Sequence, residues 1–325
     1  MRFLNLFKRR QGESPAPSLD GVNVHLSEIE GAIEIVDHFP RVNWAIVRKA
    51  VTQYQQHPAI NRLWTELGAQ WLVLIGKDLG EHYKLYESDH LLLMSGQPNV
   101  TRTLATIGDA AYIRLERIIG RLAADRELGK HAVVVFDTME AYFDYVSYFH
   151  PDREGAYGMS AGMHIGRGYG HTILNGKLQT IDRTLVHELA HHMVSHRSLP
   201  LWLNEGIAQF VEDLVPGYRS PLVDHRQVRL HRRYWTWFGI NHFWAGHSFK
   251  SVPSQRLSYQ LSDILFRNLV SHPLRRKRLH EFIATAHPGD AGATACMECF
   301  GCPLAALVEE FLGRGEWGYA PAERS

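Results

Sequence analysis

The chain has 325 residues, with 35 Lys and Arg against 34 Asp and Glu and a net charge of +1. That length holds one large domain or two modest ones, and the balanced charge gives no electrostatic commitment to nucleic acid or acidic lipid. Met1 to Phe7 is apolar but brief, and Lys8-Arg9-Arg10 follows it, the wrong order and length for a secretory signal. The most apolar run near the amino end, Trp71-Leu72-Val73-Leu74-Ile75-Gly76, is far short of the ~20 residues that a spanning helix needs. A soluble, cytoplasmic protein without stable membrane insertion or a nucleic-acid partner is expected.

Residues 1–18 read as a disordered leader, polar and proline-bearing over Gln11 to Pro17. Residues 19–81 form a helical region of unknown role, with Val42, Ala45, Ile46 and Ala50, then Ile60, Leu63, Trp64 and Leu67, at helical spacing. From His82 the period changes. His82 to Tyr86 and His90 to Met94 look like paired strands around Glu87-Ser88-Asp89. A helix is expected from about Thr101 to Ala124 and a strand over His131 to Phe136. Gly162 to Gly166 and Tyr169 to Asn175 read as glycine-punctuated strands.

His187-Glu188-Leu189-Ala190-His191 follows. This HExxH run sets two imidazoles four residues apart on a helix, about 40° apart around its axis, so both can reach one metal ion. Glu188 falls on the rim of the same face, placed to meet a water on the metal. Leu185, Val186, Leu189, Ala190, Met193 and Val194 fall on the opposite side. The apolar face docks this helix in a core, and that rigidity is what a preorganised site requires. Arg197-Ser198-Leu199-Pro200 is a short connection, and a second helix should run from about Leu201 to Leu214, stopped by Pro216-Gly217. A tight helix–turn–helix would return Glu205 to the histidines, giving His187, His191 and Glu205 with one open position, as in catalytic zinc. Zinc is the first choice, one ion per chain, and the spacing also admits other divalent ions. Other third ligands fit less well. Val194 and Arg197 stand where HExxHxxGxxH requires Gly and His, His192 points about 100° from His191 on a helical wheel, and His196 lies beyond the helix end.

Asp224 to Phe249 is crowded with histidine, arginine, tryptophan and tyrosine, and is read as a cleft wall or packing rather than a nucleic-acid surface. The carboxyl third after Pro253 is helical. Cys296, Cys299 and Cys302 form CxxCxxC, but three thiolates lack a fourth ligand, so small packed cysteines are expected. Strands before the HExxH helix and helices after it make an α+β arrangement. No internal repeat is visible.

HExxH followed by Trp202-Leu203-Asn204-Glu205-Gly206-Ile207-Ala208 resembles the gluzincin metallopeptidases of the peptidase-MA clan, the thermolysin-like and aminopeptidase-N-like enzymes, and most closely the bacterial peptidase-MA-like domains. The specific part spans residues 181–212. The resemblance implies a zincin-like fold over 82–315, with a mixed sheet, the HExxH helix and a mostly helical carboxyl part, followed by a tail at 316–325. It implies zinc on His187, His191 and Glu205, Glu188 as general base, and a tyrosine opening a later helix as oxyanion donor, matched here by Tyr259 in Ser258-Tyr259-Gln260-Leu261. His231 is a more distant candidate for that donor. In this fold an edge strand before the HExxH helix pairs with substrate backbone, the place of the 162–175 strands, with an ordinary covered edge as the equal alternative. By its own spacing, Gln209, one turn after Glu205, is either a partner that orients a ligand histidine or, the readier reading, a plain solvated glutamine. Three departures stand out: the His191-to-Glu205 spacing is short for the clan, the GxMEN motif of aminopeptidases is missing, and Tyr259 lacks the Glu-Lys-Gly that follows the tyrosine in aminopeptidases, which makes its role the weakest transfer. The expected function is a zinc-dependent peptidase acting on a peptide or protein. A zinc hydrolase of another amide or ester, and a catalytically idle binding module of the same fold, are the alternatives. Oligomeric state is not legible.

Overall fold

The computed structural model describes residues 24–36, 39–119, 128–149, 161–176, 178–219, 223–250 and 252–320; the leader expected over 1–18 lies outside them. Its centre is a five-stranded mixed sheet. The strands are β3 (Lys84–Glu87), β4 (Leu91–Ser95), β5 (His131–Phe136), β6 (Gly162–Ile165) and β7 (His171–Asn175), ordered β3-β4-β5-β7-β6. β4, β5 and β7 run parallel, while β3 and β6 join antiparallel at the two edges. The inner strands Leu-Leu-Leu-Met-Ser and His-Ala-Val-Val-Val-Phe are buried at every position, as strands covered on both faces must be.

Strand alternation sorts the core into two layers. Leu91, Leu93, Val133, Val135 and Leu174 face one way, toward α3 (Pro98–Ile119), α5 (Leu178–Val194) and the helices that follow. Leu92, Met94, Ala132, Val134, Phe136 and Ile173 face the other, toward α1 (Trp44–Val51), α2 (Ile60–Leu79) and α4 (Met139–Phe149). Trp71, Leu72 and Ile75 of α2 are buried in that second layer. The apolar run at 71–76 is therefore a core-facing stretch of helix, and no helix among the described residues is long and apolar enough to cross a membrane.

The amino-terminal region departs from its mostly helical reading. β1 (Ile33–Val36) and β2 (Phe39–Val42) form a separate antiparallel hairpin before α1. The run Ile33-Glu34-Ile35-Val36 is β-branched at three of four positions, which suits a strand, and Pro40 at an edge costs no ladder bond. α3 begins at Pro98, three residues before the expected Thr101, because proline is tolerated in a first helical turn. Its expected end at Ala124 lies outside the described residues.

After the sheet the chain is helical: α5, α6 (Leu201–Val211), α7 (His225–Tyr234), α8 (Trp237–Trp244), α9 (Val252–Ser271), α10 (Pro273–Lys277), α11 (Leu279–Thr285), α12 (Ala293–Phe300) and α13 (Leu304–Leu312). Trp235, Phe243, Trp244 and Phe249 pack inward while Trp237 and Phe238 stay exposed: Trp244 meets Trp202 edge-on at 5.6 Å, and Phe243 stacks on Phe249 at 5.5 Å. Cys296 and Cys299 are buried on α12, and all three cysteines are free. Trp317, within the stretch read as a tail, packs on the same core, and its carbonyl accepts from the Trp244 indole at 2.8 Å. The architecture is α+β with a mixed sheet.

Candidate metal centre

α5 carries the HExxH run on the side away from its core face. Leu185, Val186, Leu189, Ala190, Met193 and Val194 are at most 1% exposed, so the helix is clamped while His187, Glu188 and His191 look into a partly open space. α5 ends at Val194, and residues 195–200 return the chain to α6, whose first residue is Leu201. The short His191-to-Glu205 spacing is met by this six-residue connection. Pro200 stands at the N-cap and frees the chain to turn.

Glu205 lies in the second turn of α6 and is 8% exposed. Its Oε2 sits 3.6 Å from His187 Nε2 and 3.6 Å from His191 Nε2, and the two Nε2 atoms are 3.1 Å apart. Zinc bonds of ~2.0–2.1 Å in a tetrahedron separate the donors by roughly 3.3 Å. The three atoms thus outline one face of a tetrahedron. The residues are positioned to bind a metal ion.

The surroundings fix which nitrogens face inward. His187 Nδ1 lies 3.0 Å from Glu212 Oε1, and His191 Nδ1 lies 2.9 Å from Asn204 Oδ1. Both partners accept, so each Nδ1 carries a hydrogen and each Nε2 presents a lone pair. Gln209 does not touch a ligand histidine. It donates to Glu212 Oε1 at 3.2 Å, and Arg183 Nε stands 3.3 Å from Glu212 Oε2, so Gln209 acts one bond further out than expected. Glu205 Oε2 is buried and makes no hydrogen bond. Two lone pairs and a buried carboxylate oxygen this close repel one another unless a cation lies between them.

Without a metal that cation is a proton. Burial opposes charge on His187, but Glu205 and Glu212, then Glu188, outweigh it and raise its pKa from 6.5 to about 10. Burial likewise opposes charge on Glu205, yet His187 and His191 hold its pKa below the usual carboxylate value. Because the folded value for His187 is raised, its contribution to metal-free stability is complete below pH 6.5 and lost as pH rises through about 10. A divalent ion entering at pH 7 must displace that proton. Titration calorimetry in buffers of different ionisation enthalpy should show about one proton released for the ion bound here, fading above pH 10. Heats independent of buffer at pH 7 would contradict this arrangement.

Glu188 Oε2 accepts the backbone N–H of His164 at 2.8 Å. His164 belongs to β6, an edge strand, so the carboxylate bridges the HExxH helix and the sheet edge. Tyr259 reaches the same region. Burial first, then the nearby carboxylates of Glu205 and Glu188, push its hydroxyl well above the ordinary tyrosine range. Tyr259 does not open its helix, however: α9 starts at Val252 with Pro253 in its first turn, seven residues before Tyr259. Ser258, taken as the helix start, is buried within it, donating to Ser254 O at 2.9 Å and lying 2.7 Å from the Ser248 hydroxyl. His231 is fully buried and committed elsewhere: Trp235 Nε1 donates to its Nδ1 at 3.0 Å, and its Nε2 lies 3.3 Å from Gln260 Oε1.

Gly206, beside Glu205, explains how α9 comes so near. A side-chain carbon there would lie 2.7 Å from Ser262 O and 3.0 Å from Phe266 Cβ. α6 and α9 cross at this glycine, which carries the Glu205 and Tyr259 helices side by side. Asn204, Gly206 and Glu212 were not singled out by role from sequence. The first two lie inside the Trp-Leu-Asn-Glu-Gly-Ile-Ala run, and Glu212 stands seven residues, two helical turns, after Glu205. A comparison of the chain with protein-family models and with curated proteins finds no match.

Proposed function

We propose that the chain is a zinc-dependent peptidase of the gluzincin type with a zincin-like fold. The observation that carries this reading is the convergence of His187 Nε2, His191 Nε2 and Glu205 Oε2 within 3.1–3.6 Å, with Glu188 on the same helix face. Imidazole and carboxylate donors in this number suit zinc. A zinc ion held there supplies Lewis acidity, polarising a carbonyl and acidifying water.

The chain's own residues supply the rest. Glu188 takes the proton of an attacking water and passes it to the leaving nitrogen, a transfer typically worth about 10²–10⁴ in rate. Tyr259, whose raised pKa keeps its hydrogen in place, donates to the oxygen that gains charge as the carbonyl becomes tetrahedral. β6 offers an edge for an extended peptide, which favours backbone recognition over side-chain selectivity.

The test is digestion of a mixed-sequence peptide library by zinc-loaded protein, read by mass spectrometry. Cleavage that stops on chelation and returns with zinc supports the reading. An intact library, with metal bound at His187, His191 and Glu205, would overturn it. Hydrolysis of ester or non-peptide amide substrates by the same preparation would then assign another zinc hydrolase.

A further inference from the structure

Next to this centre, where the sheet meets the same helix, lies a second set of ring nitrogens that the proposed reaction does not use. β5 contributes His131, β6 His164 and α5 His192, and one ring nitrogen from each lies within 4.8 Å of the others. The ring centroids are 3.9 Å apart for His131 and His192, 5.3 Å for His164 and His192, and 5.8 Å for His131 and His164. Sheet register accounts for the meeting. Thr172 of β7 pairs with His164 on one side and with Val133 on the other. His131, two residues before Val133, therefore shares a sheet face with His164. Val133 packs in the layer that contains α5, and His192 belongs to that helix.

Buried imidazole nitrogens are normally satisfied by a hydrogen-bond partner. His131 is only 2% exposed; its Nε2 lies 2.9 Å from Thr172 Oγ1, while its Nδ1 has no partner. Both ring nitrogens of His164 are shut off from solvent and make no well-formed hydrogen bond, with the His171 backbone close by. His171, on the opposite face, shows what the fold does with an ordinary buried histidine. Its Nδ1 lies 2.7 Å from Tyr169 O and its Nε2 2.9 Å from the Tyr145 hydroxyl. Burial above all, with the neighbouring histidines, holds His131 neutral, its pKa well below the ordinary value, and a neutral imidazole keeps the lone pair that a metal takes.

We propose that His131, His164 and His192 form a second metal site, binding a borderline divalent transition-metal ion such as zinc through three imidazoles. All-nitrogen donors select zinc, copper or nickel over magnesium or calcium. An ion there would tie β6 to β5 across the intervening β7, and both to α5. Because the His164 amide holds Glu188 at 2.8 Å, the ion would fix the strand that positions the general base. The proposal does not depend on hydrolysis.

Zinc per chain, measured by mass spectrometry after removal of loosely held ions, separates the two sites. The expected counts are two in the wild type, one in Glu205→Ala, one in His164→Ala and none in the double variant. Circular dichroism checks that each variant is folded. X-ray absorption on Glu205→Ala, which leaves the histidine cluster untouched, should show a zinc shell of imidazole nitrogens with no protein carboxylate. A single zinc in the wild type that Glu205→Ala loses would sink the second site and uphold the first. A single zinc that Glu205→Ala keeps and His164→Ala loses would do the reverse. Zinc retained by Glu205→Ala without an imidazole shell would also overturn the proposal.

Discussion

Glu188→Gln should abolish peptide hydrolysis, lowering turnover by about 10²–10⁴, while the metal content stays at the wild-type level. Glutamine keeps the length and an acceptor oxygen for the His164 amide, now 2.8 Å from Oε2, so strand and helix stay in register. It removes only basicity. Glu188 is not among the three donors that converge on one point, so the ion has no reason to leave. The decisive readout is turnover against the peptide found in the library screen, with zinc counted in the same sample. Wild-type turnover in Glu188→Gln would remove Glu188 from the chemistry. Loss of metal together with activity would mean that it is a ligand.

Glu205→Ala should cost the chain one zinc and all of its hydrolytic activity. Losing a residue that merely orients a ligand lowers metal affinity by about 10–100-fold, and losing a ligand itself should exceed that. Alanine leaves the two Nε2 atoms 3.1 Å apart with no anionic donor beside them. It also takes away a carboxylate that raises the His187 pKa, so less charge of either kind is held there. Competition with a chromogenic chelator gives the affinity of the lost site. Zinc bound by Glu205→Ala at His187 and His191 with wild-type affinity would remove Glu205 from the ligand set.

The candidate centre was legible in sequence because its parts are local. His187, Glu188 and His191 occupy five residues, and the helix that presents them is fixed by apolar positions at helical spacing, all of them buried. Glu205 follows after one short connection. What lay further out was not legible. Asn204 and Glu212 act through hydrogen bonds to Nδ1 atoms, and nothing in residue type separates such groups from solvated ones. Tyr259 was found on the premise that it opens a helix, whereas α9 begins at Val252, with Pro253 in its first turn. The β1–β2 hairpin was hidden among helices by its brevity, four residues a strand. The histidine cluster was the least visible, since His131, His164 and His192 share no spacing and meet only through the order β5-β7-β6.

The bond between Glu188 and the His164 amide has a consequence for how the protein is handled in solution. β6 ends the sheet, with no strand on its outer side among the described residues. A bare edge amide invites pairing with another copy and is a seed for aggregation. Here the outer hydrogen of His164 is already taken by an internal carboxylate, so the resting molecule covers its own edge at that position. An incoming chain gains that pairing position only by releasing Glu188, which links strand addition to freeing the base. Glutamine at 188 keeps the cover and alanine strips it, so an alanine variant that precipitates would report a lost edge rather than a lost fold.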